Sequence, residues 1–312
     1  MLNTSNSVLQ PTSLPELNKR GIQLFVKRDD LIHKYISGNK WRKLKFPVLE
    51  ALQQKKNTLL TFGGAYSNHL LATAAVANEM GLQSIGMVRG EELHTASNEV
   101  LKRCAEWNMQ LFFVSREEYQ QKDEWDYLQM LRSRFPSCYI IPEGGAQYAS
   151  FIGCQELLQE VVEPFNHLFL ASGTTTTACG LLLGLKAHQL LHVVPALKGF
   201  QTMNSMRELM TREGISEEVV KELLPQVVPH ESYHFGGYGK GSETLYSFME
   251  DFYQQTNIPL DPIYTGKALF ALMDWIQLED IHDASILFLH TGGVYAGKEI
   301  ESRQHRKWSG EC

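Results

Sequence analysis

Leu170-Ala171-Ser172-Gly173-Thr174-Thr175-Thr176-Thr177-Ala178-Cys179-Gly180 passes from one apolar run into another through a glycine and four consecutive threonines. The run before the turn is short, as a buried strand is; the run after it has helical length. Strand, turn and helix form the repeating unit of an α/β fold. Threonine is a poor choice for helix propensity alone. It is a sensible choice for phosphate, which needs convergent N–H and O–H donors at the positive end of a helix. The Gly-Lys-Ser/Thr ending of a Walker loop is missing, and so is the GxGxxG of dinucleotide folds. A phosphorylated cofactor therefore suits this turn better than a nucleoside triphosphate. The competing reading is a simple N-capped helix.

The same alternation extends outward in both directions. Strands are expected over 24–26, 58–62, 84–88, 111–114, 138–141, 167–171, 192–197 and 285–289. Helices are expected over 43–54, 68–80, 97–107, 125–134, 150–162, 175–188, 203–211, 242–255 and 267–277. The pattern predicts an α/β fold with a largely parallel sheet. Gly81 stands where a C-terminal cap belongs. Turn residues cluster at Pro142-Glu143-Gly144-Gly145-Ala146. A smaller lobe over 41–142 is expected there, inserted into a larger one made of 1–40 and 143–312.

With 312 residues, 43% hydrophobic and 21% charged, the chain can bury a large core. A net charge of -6 offers nothing to nucleic acid or an anionic membrane surface. Cys104, Cys138, Cys154, Cys179 and Cys312 form no CxxC pair and read as free thiols of a reducing compartment. The start is polar, without an apolar signal core, and no run approaches membrane-spanning length. A cytoplasmic location is expected.

Three further stretches carry chemistry. In Ser37-Gly38-Asn39-Lys40-Trp41-Arg42-Lys43-Leu44-Lys45, Gly38 permits close backbone approach and Asn39 both donates and accepts. Lys40 offers an amine that condenses with an aldehyde once desolvated, or the lysine-rich stretch is simply the solvated start of a helix. In Thr61-Phe62-Gly63-Gly64-Ala65-Tyr66-Ser67-Asn68-His69, the helix start can seat an α-carboxylate, or Ser67 is simply an N-cap. Leu287-Phe288-Leu289-His290-Thr291-Gly292-Gly293 delivers a hydroxyl and two glycines to the C-terminal edge of the sheet, where ligands gather. There Thr291 could meet a ring nitrogen, or merely end a strand. Tyr238 and Tyr264 lie among loop residues, as lids on the core or as proton shuttles. His230 and His234 have metal-pair spacing but no evident third ligand, and read as ordinary polar residues. No G-x-S-x-G elbow supports a serine hydrolase.

In order and spacing, these residues resemble the pyridoxal-phosphate enzymes of the tryptophan-synthase-β fold, fold type II. Within that group they are similar to the D-cysteine desulfhydrase and 1-aminocyclopropane-1-carboxylate deaminase family. The resemblance covers nearly the whole chain. Its anchors are Lys27-Arg28-Asp29-Asp30, Gly38-Asn39-Lys40 with Arg42-Lys43-Leu44, Ser67-Asn68-His69, the threonine turn, Asp261-Pro262 with Tyr264-Thr265-Gly266-Lys267, and His290-Thr291-Gly292-Gly293. It implies two open, mostly parallel sheets flanked by helices, pyridoxal 5'-phosphate as cofactor, and a homodimer. It also implies that Lys40 forms the Schiff base, with Asn39 beside it. Asn68 would bond the cofactor's phenolic oxygen, and Gly173, Thr174, Thr175, Thr176 and Thr177 its phosphate. Thr291 would lie near the pyridine nitrogen. Ser67, with Asn68 and His69, would face a small amino-acid substrate. Tyr238 and Tyr264 match the family's paired active-site tyrosines.

Two departures bear on the reaction. Ring-opening deaminases carry a glutamate after the tyrosine matching Tyr264, and a non-hydroxyl residue before the final Gly-Gly. Here those positions are Thr265 and Thr291. A neutral hydroxyl leaves the pyridine nitrogen largely unprotonated, which suffices when a good leaving group departs from the β-carbon. In addition, Tyr66 replaces the usual glutamine before the serine, and Leu70-Leu71 replaces a polar or basic pair. The expectation is a lyase performing α,β-elimination like D-cysteine desulfhydrase. The alternatives are a 1-aminocyclopropane-1-carboxylate deaminase and a catalytically silent cofactor- or amino-acid-binding protein.

Overall fold

A computed structural model of the chain describes residues 3–36 and 38–293; Ser37 and Cys312 lie outside the described residues. In chain order the elements are β1 (Leu9–Thr12), α1 (Pro15–Lys19), β2 (Gln23–Lys27), α2 (Asn39–Gln53), β3 (Thr58–Gly63), α3 (Asn68–Met80), β4 (Gln83–Arg89) and α4 (Glu99–Glu106). Next come β5 (Met109–Val114), α5 (Arg116–Gln120), α6 (Trp125–Arg134), β6 (Cys138–Ile141), α7 (Tyr148–Gln159), β7 (His167–Ser172), α8 (Thr176–Leu182) and β8 (Leu190–Pro195). The series closes with α9 (Thr202–Arg212), α10 (Glu217–Leu223), β9 (Val227–Pro229), α11 (Glu243–Thr256), α12 (Thr265–Leu278) and β10 (Ser285–Leu289).

The strands form two sheets. One has the order β5-β4-β3-β6 and is parallel throughout. The other has the order β1-β2-β10-β7-β8-β9, and only its β1–β2 pair is antiparallel. Parallel strands covered by helices on both faces read as continuous apolar runs. β3 shows this, with all six residues buried. The larger sheet is packed by Phe169, Phe288 and Leu269 on one side and by Leu168, Leu170, Leu287 and Leu181 on the other.

Close helix packing explains how α2 is held. Pro47 lies inside α2 and cannot donate to the carbonyl of Lys43. Ser150 of α7 fills that gap, its Oγ donating to Lys43 O at 2.7 Å. Gly153 lets the helices meet, since a Cβ there would stand 1.9 Å from Arg42 O. The outer end of the contact is ionic. Arg42 Nη2 meets Asp29 Oδ1 at 2.9 Å and Glu160 Oε2 at 2.8 Å, and Lys27 Nζ meets Glu160 Oε2 at 2.8 Å. Asp29 is fully buried and also accepts from Ser7 Oγ.

Several elements differ from the sequence expectation. β1 and β9 are short edge strands containing Pro11 and Pro229, which obscure strand signals. α2 begins at Asn39, ahead of the expected residue 43. α8 ends at Leu182, well short of residue 188. His230 is not an ordinary polar residue: its Nε2 meets His192 Nδ1 at 2.9 Å, and His192 Nε2 meets His167 Nδ1 at 3.0 Å. None of the described helices is long and apolar enough to cross a membrane.

Candidate active site

Lys40 stands in the first turn of α2. Gly38, at φ 63° and ψ −142°, turns the chain into that helix. A Cβ on Gly38 would lie 1.8 Å from Thr291 O, and the Asn39 N–H donates to the same oxygen at 3.2 Å. The start of α2 is thereby clamped to the loop after β10. Lys40 Nζ donates to Asn39 Oδ1 at 2.8 Å, and Asn39 Nδ2 donates to Thr177 Oγ1 at 3.0 Å. Two hydrogen bonds thus join the amine to the threonine turn. The Lys40 side chain as a whole is half-buried, yet its amine is deep. Burial, with the Lys43 cation nearby, holds its pKa well below the usual lysine value.

The threonine turn spans the end of β7 and the start of α8. Thr175, Thr176 and Thr177 are buried. Ser172 Oγ donates to Thr174 O at 3.1 Å, and the hydroxyls of Thr174 and Thr176 are 3.1 Å apart. The first N–H groups of a helix have no intrahelical acceptor, so this turn presents amides as well as hydroxyls. Gly144 follows the turn's outline: a Cβ there would stand 2.7 Å from the Thr174 side chain.

Tyr264 covers Gly173, with ring carbon Cε1 3.0 Å from where a Cβ would be. Tyr238 packs edge-on against it, ring centroids 6.1 Å apart. Burial raises both phenol pKa values, so both are protonated at neutral pH. Asp261 sets the position of Tyr264. Its Oδ1 accepts from the N–H groups of Ile263 at 3.0 Å and Tyr264 at 2.8 Å. Its Oδ2 accepts from Thr265 N–H at 3.0 Å and Thr265 Oγ1 at 2.7 Å. The Thr265 hydroxyl is thus spent on Asp261, whose carboxylate takes the N–H groups at the start of α12. Lys267, two residues on, donates to His234 O and Gly237 O, both at 2.8 Å, and so holds the loop that carries Tyr238.

At the start of α3, Ser67 Oγ accepts from Leu70 N–H at 3.2 Å, as an N-cap does. Asn68 opens the helix and remains half-buried. His69 points inward. It is 3% exposed, and neither ring nitrogen has a partner meeting hydrogen-bond geometry, although the Pro142 carbonyl lies close by. Burial, with Lys43 and Lys40 nearby, keeps its pKa well below the usual histidine value. Gly145, at φ 74°, is where these groups converge: a Cβ there would stand 3.2 Å from Lys43 Cβ and 3.5 Å from His69 Cε1.

The structure therefore brings Lys40, Asn39, Thr177 and Thr291 into one bonded cluster, with Tyr264 and Tyr238 across Gly173. His69 belongs to the inner wall beside the two lysines. Lys43 and Asp261, which the sequence offered only as anchors of the resemblance and without a role, also carry chemistry here. Lys43 is buried, its pKa pushed down to about 8 by desolvation. Its signal was the three-residue offset from Lys40, which puts both on one helix face. The signal for Asp261 was an aspartate ahead of an apolar helix, a capping position.

A family model described as pyridoxal-phosphate dependent enzyme matches residues 8–292. A protein of Pyrococcus abyssi provisionally named 1-aminocyclopropane-1-carboxylate deaminase is 31% identical over 301 residues, covering 90% of this chain and 88% of its own. A D-cysteine desulfhydrase of Salmonella typhi is 30% identical over 303 residues, covering 91% and 90%. The crystal structure of an ACC deaminase homologue superposes with a TM-score of 0.75 at 23% identity, covering 97% of this chain and 96% of that one. A serine racemase from Dictyostelium discoideum gives a TM-score of 0.66 at 14% identity over 92% of each chain. These structures share the fold. The residues on the cleft wall fit such a cofactor: a desolvated amine, a hydroxyl-lined turn, and a buried imidazole beside the two lysines.

Proposed function

The chain belongs to the pyridoxal-phosphate-dependent enzyme family, and from that premise we propose that it is a lyase eliminating a β-substituent from a small amino acid. The D-cysteine desulfhydrase reaction, yielding pyruvate, ammonia and sulfide, is the one it resembles. The observation that carries the reading is the Lys40 amine, desolvated and tied through Asn39 to Thr177. Lys40 is assigned as the residue that bonds the cofactor. Gly173 to Thr177 hold its phosphate, with the Lys43 cation adding charge. Asn68 and Thr291 serve its ring substituents. When bound, the cofactor supplies a sink for the electron pair left when the substrate loses its α-proton.

The rest is the work of side chains. Ser67 and the free N–H groups at the start of α3, with Asn68 and His69, orient the substrate and fix its carboxylate. With the substrate amine in its place on the cofactor, Lys40 would be released as a free amine, and its lowered pKa would suit it to take the α-proton. Tyr264 and Tyr238 stay protonated and can donate towards the departing sulfur. The Cα–H and Cβ–S bonds break, and sulfur leaves with the electron pair of its bond. The remaining enamine takes up water and ends as pyruvate and ammonia. Thr265 favours this chemistry over ring opening, because its hydroxyl is neutral and already committed to Asp261.

Incubation of the purified protein with D-cysteine tests the reading. Pyruvate and sulfide should form in equal amounts, and Lys40→Ala should reduce the rate at least a thousandfold. No turnover by the wild type, or undiminished turnover by the variant, overturns it. The name of the Pyrococcus relative favours a second reading, deamination of 1-aminocyclopropane-1-carboxylate; 2-oxobutanoate from that substrate would select it. A cofactor spectrum without product from any amino acid would instead mark a silent binding protein. The reading extends to a cytosolic homodimer on the strength of the resemblance, and a sedimenting monomer at micromolar concentration contradicts that part.

A further inference from the structure

The rim of the cleft carries a cation that its surroundings leave unmatched. Arg89 is the last residue of β4, at the C-terminal edge of the four-stranded sheet, and it is exposed. Its side chain reaches over the turn that leads into α3. Its Nη2 lies 3.6 Å from where a Cβ on Gly64 would stand, and nothing else comes within 4 Å of that point. The guanidinium carbon sits 5.7 Å from the centre of the Tyr119 ring, which gives the group a shelf. Its charge acts on the Tyr238 phenol, and Glu143 acts on the same phenol in the opposite sense. Lys122, over the same Tyr119 ring, is by contrast matched: it meets Asp123 at 3.2 Å and Glu143 at 3.6 Å. Arg89 makes no hydrogen bond or ion pair with any described residue.

We propose that Arg89 determines specificity by binding a second negative charge on the substrate, carried at the end of its β-substituent. This rests on the lyase reading and deepens it: the substrate class is an amino acid whose side chain ends in carboxylate, sulfonate or phosphate. The turn beneath Arg89 leads to the seat for the α-carboxylate, and the Tyr238 phenol is near enough for the Arg89 charge to act on it. A substrate anchored at its α-carboxylate would thus extend its β-substituent between them. A planar guanidinium fork with free donors matches each of these oxyanions. In the elimination the Cα–H bond breaks and its proton passes to Lys40. The Cβ–heteroatom bond breaks with its electron pair on the leaving group, which departs as the free acid anion.

The test uses the holoenzyme and two kinds of readout. Aspartate and asparagine, each as both enantiomers, have the same shape and no leaving group, so their dissociation constants can be read from the cofactor absorbance. The wild type should bind aspartate at least tenfold more tightly than asparagine in one enantiomeric series. Arg89→Met should collapse that ratio to below threefold, and Arg89→Lys should restore part of it. Equal binding of the pair by the wild type, or an equal loss on both by Arg89→Met, overturns the proposal; the latter would assign Arg89 to the α-carboxylate. Turnover of O-phosphoserine, S-sulfocysteine and S-carboxymethylcysteine then separates phosphate, sulfonate and carboxylate. Absence of elimination from every substrate, D-cysteine included, counts against the lyase reading, while the aspartate ratio still decides on Arg89.

Discussion

Gly38 is the residue on which the position of Lys40 turns. Its φ of 63° with ψ −142° is open to glycine and strained for other residues. The Thr291 carbonyl oxygen also occupies the space a side chain would need. Gly38→Ala must push the loop after β10 away from α2 and break the Asn39–Thr291 contact. We expect a loss of about 1–3 kcal/mol in stability from the backbone strain. Cofactor affinity should fall at least tenfold, read by absorbance after dialysis. A variant as stable as the wild type that retains its cofactor would show that the clamp is not needed. This part of the site was legible in the sequence as a glycine before a lysine. The oxygen that makes it obligatory comes from 253 positions further on, and no local pattern reports it.

At the scale of elements, α2 depends on α7 for a backbone partner. Pro47 leaves the Lys43 carbonyl without its helical donor, and Ser150 supplies one. Ser150→Ala removes the donor and leaves a buried carbonyl unpaired, a cost of about 1–3 kcal/mol. Urea unfolding should register it as a lower midpoint, and an unchanged midpoint would contradict the packing described. Both ends of α3 were readable in advance, because Ser67 as N-cap and Gly81 at φ 66° as C-cap are local signals. The α2 start was not, because the basic run Arg42-Lys43-Leu44-Lys45 looks like a solvated first turn. In the structure Arg42 and Lys43 are 2% and 3% exposed, so the charges that suggested surface are interior. Lys43 escaped notice as a site residue for the same reason.

Across the whole molecule, two buried polar assemblies set the conditions under which the fold stands. One is the Asp29–Arg42–Glu160–Lys27 network that anchors α2 to β2 and α7. The other is the row His167, His192 and His230 on the larger sheet, with Phe169 stacked 4.0 Å from His192. Burial pushes His192 down to about 2 and His230 to about 4. A histidine whose pKa is depressed on folding binds more protons when unfolded, so it favours the folded state above its unfolded pKa of about 6.5. That stability is lost as pH falls towards the folded values. Unfolding free energy should therefore drop between pH 6.5 and 5, by up to about 1.4 kcal/mol per pH unit for each such proton. His192→Leu should flatten the slope, and an equal slope in both proteins would contradict this. The histidine row was illegible in the sequence because its members lie on two strands and a loop; spacing along the chain suggested only His230 and His234. The fold class was legible because alternating strands and helices are a local pattern. The central claim is that one amine, Lys40, is the group that captures the cofactor, although Lys43 is a second buried amine on the same face. Borohydride reduction of the holoenzyme followed by peptide mapping tests this most directly. The account predicts a pyridoxyl group on Lys40 alone; the same mass found on Lys43, or on no lysine, would contradict it.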